Sequence, residues 1–132
     1  MQLIYIILTA LGSLAIFFIL LGLVMRFRAF ALKGTIVPSL AGYAGRILQH
    51  STSALVYFYS PDCLTCGDMT QTIERLAVRN GNVLSIDVSV DKDIAKKFKI
   101  MATPTLVSIR NGRIHKILMG PQPPAIVEAQ LS

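Results

Sequence analysis

The chain has 132 residues, 53% of them apolar by type and only 15% charged, with a net charge of +6 and a mean hydropathy of +0.59. This length accommodates one folding domain with a short appendage and excludes two full domains, while the apolar content excludes a disordered chain. Two cysteines are too few for a disulfide-stapled secreted scaffold, and the high hydropathy points to a membrane segment.

Residues 1–25 carry no charged side chain, and Arg26 is the first. Such a run exceeds the roughly 20 residues that a helix needs to cross about 30 Å of hydrocarbon. A helix satisfies every backbone group internally, so the run predicts one N-terminal transmembrane helix over 1–25, with a basic juxtamembrane linker over 26–34. Thr9 and Ser13 form a small-xxx-small pair of the kind that packs against another helix. The rival is a cleaved signal peptide, because Ala29-Phe30-Ala31 resembles a small-residue cleavage site. Against it, the amino end lacks Lys and Arg, the run is too long, and Arg26 and Arg28 precede the site.

Arg26, Arg28 and Lys33 crowd the carboxyl flank, so the positive-inside bias directs the rest of the chain to the cytoplasm, the extracytoplasmic or periplasmic face being the alternative. Of thirteen basic side chains these three lie in the flank, which leaves ten against seven acidic ones over residues 34–132. The basic balance is therefore a membrane-flank signal, and no nucleic-acid partner is expected.

Residues 35–132 read as one domain of short alternating elements. Thr35–Val37 is a strand stopped by Pro38, and Ser39 caps a helix to Gln49 with Leu40, Ala44, Ile47 and Leu48 inward. Residues 54–59 form a continuous apolar run, as in a strand buried on both faces. Ser60-Pro61-Asp62 breaks it, and a helix from Cys63 to Val78 follows, with Cys66, Met69, Ile73 and Leu76 at helical spacing. Residues 83–88 are a further strand, and Asp91 or Asp93 starts a short helix carrying Ile94, Ala95 and Phe98. Residues 105–110 and 113–119 flank Asn111-Gly112 as a hairpin, and a last helix runs from Pro124 to Leu131. The order βαβαβαββα predicts an α/β domain, with parallel strands joined by right-handed crossovers, an antiparallel hairpin edge, and helices on both faces of a mixed sheet.

The chemistry concentrates in Cys63-Leu64-Thr65-Cys66, between a buried strand and a helix. At a helix amino terminus the backbone N–H groups and dipole favour a thiolate on Cys63. Cys66, one turn on, is near enough to close a disulfide and more buried. The expected exchange is attack by Cys63 on a substrate disulfide and resolution by Cys66.

With these residues, 35–132 resemble the thioredoxin family in a single register. The likeness includes the hydrophobic strand before the C-x-x-C, the Ile86-Asp87 strand end, Ala102-Thr103-Pro104-Thr105, the Asn111-Gly112 hairpin and Gly120. The resemblance implies a thioredoxin-like fold, acting on protein thiol and disulfide substrates, which the apolar run over 1–25 would anchor to a membrane. The Cys63–Cys66 disulfide would be its redox centre, with no separable cofactor and no metal. It also implies a cis Pro104 packed against the disulfide, and a Thr103 that offers its backbone to an extended substrate chain.

This sequence departs from the family at the site. The tryptophan before the first cysteine is Asp62 here, and the Gly-Pro between the cysteines is Leu64-Thr65. The family's buried aspartate, which assists proton transfer, falls at Tyr57, and its lysine neighbour at Val83. Asp62 reads as a helix cap whose carboxylate also disfavours a nearby thiolate. These opposing effects, each about 0.3–2 kcal/mol, leave the direction of exchange open.

Other readings are weaker. Zinc needs more ligands than one cysteine pair, and His50 and His115 stand on separate elements as surface residues. An iron–sulfur cluster bridged between two chains would use the same cysteines. Lys92, Lys96, Lys97 and Lys99 read as a solvated face that would graze anionic lipid on a cytoplasmic leaflet. Tyr57 and Tyr59 read as sheet core, with a proton relay through Tyr57 as the rival. Two functions follow: a membrane-tethered thiol–disulfide oxidoreductase, or a non-catalytic interaction or assembly subunit of a membrane complex. The retained cysteine pair favours the first.

Overall fold

The computed structural model describes residues 1–28 and 30–132, which fall into two units, 1–32 and 33–132. Ala29, part of the small-residue site weighed above, lies outside the described residues.

The first unit is a single helix, α1, Gln2–Leu32. None of its apolar window is buried within the structure. Its polar side chains turn back on the helix: the Thr9 hydroxyl donates to the carbonyls of Tyr5 and Ile6 at 3.0 and 2.9 Å, and the Ser13 hydroxyl to that of Ala10 at 2.9 Å. The helix passes through Arg26 and Arg28 into residues read from sequence as a linker. Charge changes the solvent a side chain prefers, but Arg, Phe, Ala and Leu all accept helical dihedrals.

In the second unit four strands, β1 Ser53–Tyr59, β2 Val83–Asp87, β3 Thr105–Arg110 and β4 Arg113–Met119, form one sheet in the order β2-β1-β3-β4. The helices are α2 Gly42–His50, α3 Gly67–Arg79, α4 Lys92–Lys97 and α5 Pro124–Glu128. Five consecutive β1 residues are buried because alternate side chains serve opposite faces. Ala54, Val56 and Phe58 join Leu48 of α2 and Phe98 beyond α4, whereas Leu55 and Tyr57 join Met69 and Ile73 of α3 and Val127 of α5.

Several expectations are corrected. Only β1 and β2 pair in parallel; β3 pairs antiparallel with β1, against the expected crossover. The reason is length: the six residues of α4 rise about 9 Å, too short to return along a five-residue strand of about 17 Å. The chain therefore re-enters the sheet at the end where β2 left it. Thr35–Val37 is not a strand but a single antiparallel bridge, Ile36 to Arg113, before Pro38, which has no N–H to extend a ladder. Ser39 does not cap α2; the helix starts at Gly42 behind Ala41, with no side-chain cap. Leu40 is drawn instead toward the core, and its carbonyl lies where a Cβ on Gly45 would come within 1.9 Å. The last helix stops at Glu128 and continues only as turns.

The hairpin forms as read, with Asn111 and Gly112 at φ 50° and 70°, the left-handed pair of a two-residue turn. Here too the chain enters the domain: Gly34 N–H donates to the Ile114 carbonyl at 2.6 Å, and Val37 N–H to Gly112 at 3.0 Å.

Candidate active site

β1 and β3 are central neighbours running antiparallel, with Phe58 opposite Thr105. The segment that leaves β1 after Tyr59 and the one that leads into Thr105 therefore emerge at the same end of the sheet, opposite the hairpin. The first carries Cys63 and Cys66; the second carries Thr103 and Pro104. Topology thus brings together the two sequence motifs that stand some forty residues apart.

Cys63 and Cys66 are joined as a disulfide with Cα atoms 5.5 Å apart. They differ in access: Cys66 is 4% exposed, Cys63 is half-buried, and Leu64 between them is wholly exposed. The Cys63 sulfur lies 3.8 Å from the Thr65 hydroxyl. The peptide Thr103-Pro104 is cis. Pro104 is buried, and its carbonyl accepts the Gly120 N–H at 2.8 Å, which fastens this loop to the end of β4. The Thr105 hydroxyl closes the turn on the Ala102 carbonyl at 2.7 Å.

The helix does not begin at Cys63. Two successive tight turns come first, Cys63 N–H to the Ser60 carbonyl at 3.1 Å and Cys66 N–H to the Cys63 carbonyl at 3.3 Å. Cys66 is the N-cap of α3, and no side chain caps it. Asp62, read from sequence as the cap, is exposed, and its own N–H meets the Ser60 hydroxyl at 3.4 Å. Asp62 stands four residues before that N-cap.

Beneath Cys66, Tyr57 of β1 donates its hydroxyl proton to the Cys66 carbonyl at 3.3 Å and lies 2.9 Å from the Thr70 hydroxyl. A phenol has one proton, so Thr70 is the donor to the Tyr57 oxygen, and the bonds run from Thr70 to Tyr57 to Cys66. Burial pushes the Tyr57 hydroxyl above its ordinary pKa; the Thr70 bond opposes this, and Tyr59 adds a smaller upward push. The Tyr59 ring stacks on Tyr57 with centroids 5.7 Å apart. Thr70 was not singled out from the sequence; its signal was its place one helical turn beyond Cys66.

At the same end of the sheet, Asp87 closes β2 beside Tyr59. The Ser89 hydroxyl holds its carboxyl below the usual range; slight desolvation opposes this, and the Ser89 and Val90 N–H groups reinforce it. His50 and His115 are exposed, on α2 and β4. Lys92, Lys96, Lys97 and Lys99 are exposed too, and the Lys97 ammonium donates to the Ser39 carbonyl at 3.2 Å.

The comparisons with known proteins agree with this architecture. The thioredoxin family model matches residues 35–131. A thioredoxin of Alicyclobacillus acidocaldarius is 32% identical over 88 residues, covering 64% of this chain and 84% of the relative. A thioredoxin of Mycobacterium bovis is 26% identical over 103 residues, covering 76% and 89%. Among solved structures, a mutant thioredoxin from Halobacterium salinarum superposes with a TM-score of 0.58 at 23% identity, over 75% of this chain and 97% of that one. Oxidized mitochondrial thioredoxin 3 from Saccharomyces cerevisiae gives 0.56 at 24% identity, over 65% and 82%. With a matching model over most of its length, a mixed sheet in the same arrangement and a cysteine pair at the end of its central strand, this chain belongs to the thioredoxin family of thiol–disulfide oxidoreductases.

Proposed function

We propose that the protein is a membrane-tethered thiol–disulfide oxidoreductase in which Cys63 is the attacking thiol, Cys66 the resolving thiol, and Thr103-Pro104 the edge on which a protein substrate docks. The observation that carries this reading is the unequal access of the two sulfurs: Cys63 is reachable and Cys66 is nearly closed off. The Cys63 thiolate attacks a substrate disulfide, forming one mixed S–S bond while the other substrate sulfur leaves as a thiolate and takes a proton from water. Cys66 then gives up its proton and attacks the Cys63 sulfur, and the second substrate sulfur leaves and is protonated. Two protein thiols become one disulfide and one substrate disulfide becomes two thiols, so no separable cofactor is required.

Helix α1 is the tether. Its apolar window is exposed rather than packed into a core, and its 31 residues extend about 46 Å, more than the roughly 30 Å of hydrocarbon. The positive-inside bias of Arg26, Arg28 and Lys33 supports a cytoplasmic placement of the domain. The connecting segment pairs with the hairpin through Gly34 and Val37, and tethering raises the effective concentration of the domain toward membrane-proximal substrates.

Reduction of insulin disulfides driven by dithiothreitol tests the chemistry: the parent chain accelerates it, and a Cys63→Ser chain as active as the parent rules the mechanism out. A membrane-impermeant thiol reagent tests the side: labelling only after permeabilisation is expected, and labelling in intact cells contradicts the cytoplasmic placement.

A further inference from the structure

We propose that Tyr57 is a positioning residue for the resolving step, its hydroxyl pinning the Cys66 carbonyl to the central strand while Thr70 fixes the direction of that bond. The proposal rests on the reading of Cys66 as the resolving thiol.

Cys66 has two neighbourhoods. Toward solvent, Leu64 and Thr65 before it are exposed, and α3 starts without a side-chain cap. Toward the sheet, its carbonyl accepts two bonds, the Thr70 N–H at 2.8 Å and the Tyr57 hydroxyl at 3.3 Å. The first belongs to α3 and moves with it. The second comes from the middle of β1, from a side chain with no exposed surface and a ring stacked on Tyr59. It thus ties the start of α3 to the rigid part of the domain.

The tie matters once the Cys63–Cys66 bond is broken. In the mixed-disulfide state no bond joins the two sulfurs, so the position of the Cys66 backbone governs its reach to Cys63, and an intramolecular attack loses rate quickly as its geometry loosens. The tie does not involve either sulfur, so it persists in that state. A tyrosine hydroxyl is protonated at neutral pH and burial pushes its pKa further up, so Tyr57 acts as a donor there and not as a base. At 3.3 Å the bond is long for a hydroxyl donor, which limits the expected effect to a few-fold.

The two steps can be read separately in the full-length chain, in detergent and fully reduced, with an aromatic disulfide that releases one coloured thiolate at attack and a second at resolution. Tyr57→Phe is expected to leave the first release unchanged and to slow the second about two- to fivefold, the scale of one hydrogen bond. Thr70→Val is expected to slow the second release in the same direction, and Thr70→Ser to restore it. A Tyr57→Phe chain whose second release matches the parent, or whose two releases slow equally, overturns the proposal. If Tyr57→Phe does not fold, Thr70→Val decides: an unchanged second release overturns the proposal, and a selectively slowed one supports it. A Cys63→Ser chain with an undiminished first release would instead sink the exchange mechanism itself.

Discussion

Helix α1 and strand β1 are the two most apolar stretches of the chain, and their side chains have opposite fates. Along α1, Leu3, Tyr5, Phe18 and Leu20 are 55–75% exposed, whereas Ala54 through Phe58 of β1 are at most 1% exposed. Both must satisfy every backbone N–H and C=O. The helix does so within itself, so its side chains need no protein partner; the strand needs β2 and β3, which bring helices and a core with them. Apolar composition alone does not say which solvent a segment occupies; the length of the run and the partners of its backbone do.

The hardest blow to this contrast falls in β1. Phe58→Ala removes a ring from contact with Phe98, whose centroid is 5.3 Å away, and should cost about 3–5 kcal/mol in urea unfolding of the domain. A loss below about 1 kcal/mol would show that β1 is not the centre of the core. In α1 the corresponding insult is a charge: Leu14→Arg should cost about 2.5–3.5 kcal/mol of insertion, read as a loss of carbonate-resistant membrane association. Unchanged association would detach α1 from lipid.

Two glycines sharpen the same contrast. Gly45→Ala sets a Cβ against the Leu40 carbonyl and should destabilise the domain by about 1–3 kcal/mol, while Gly12→Ala in α1 meets nothing within 4 Å and should leave the domain's melt unchanged. Equal effects would mean that α2 relaxes freely. The smallest effect is at high pH. Because the folded Tyr57 hydroxyl holds its proton above the ordinary value of 10.0, its stabilisation is complete below that pH and is lost as pH rises through the raised folded value. Tyr57→Phe should therefore flatten the alkaline fall in stability, and an identical fall in the variant would count against a buried phenol.

What was legible in the sequence was what a single element dictates. The β1 run, the inward Met69 and Ile73, and the Asn111-Gly112 turn each depend on local periodicity or local dihedrals, and each formed as read. The C-x-x-C and the Thr103-Pro104 motif stood out as residues, but their meeting at one end of the sheet depends on β3 pairing antiparallel with β1, and the crossover rule pointed the other way. The start of α3 was misplaced because Ser60, Pro61 and Cys63 form tight turns that mimic a helical start in sequence. Thr70 was invisible because its importance comes from a tyrosine thirteen residues earlier, on another element.

The most direct test of the account is covalent. In cells carrying the full-length chain, Cys66→Ser should accumulate dithiothreitol-sensitive adducts through Cys63, because nothing remains to release the trapped partner, and Cys63→Ser should accumulate none. Equal adducts in the two variants, or none in Cys66→Ser while the parent still reduces disulfides, would contradict it.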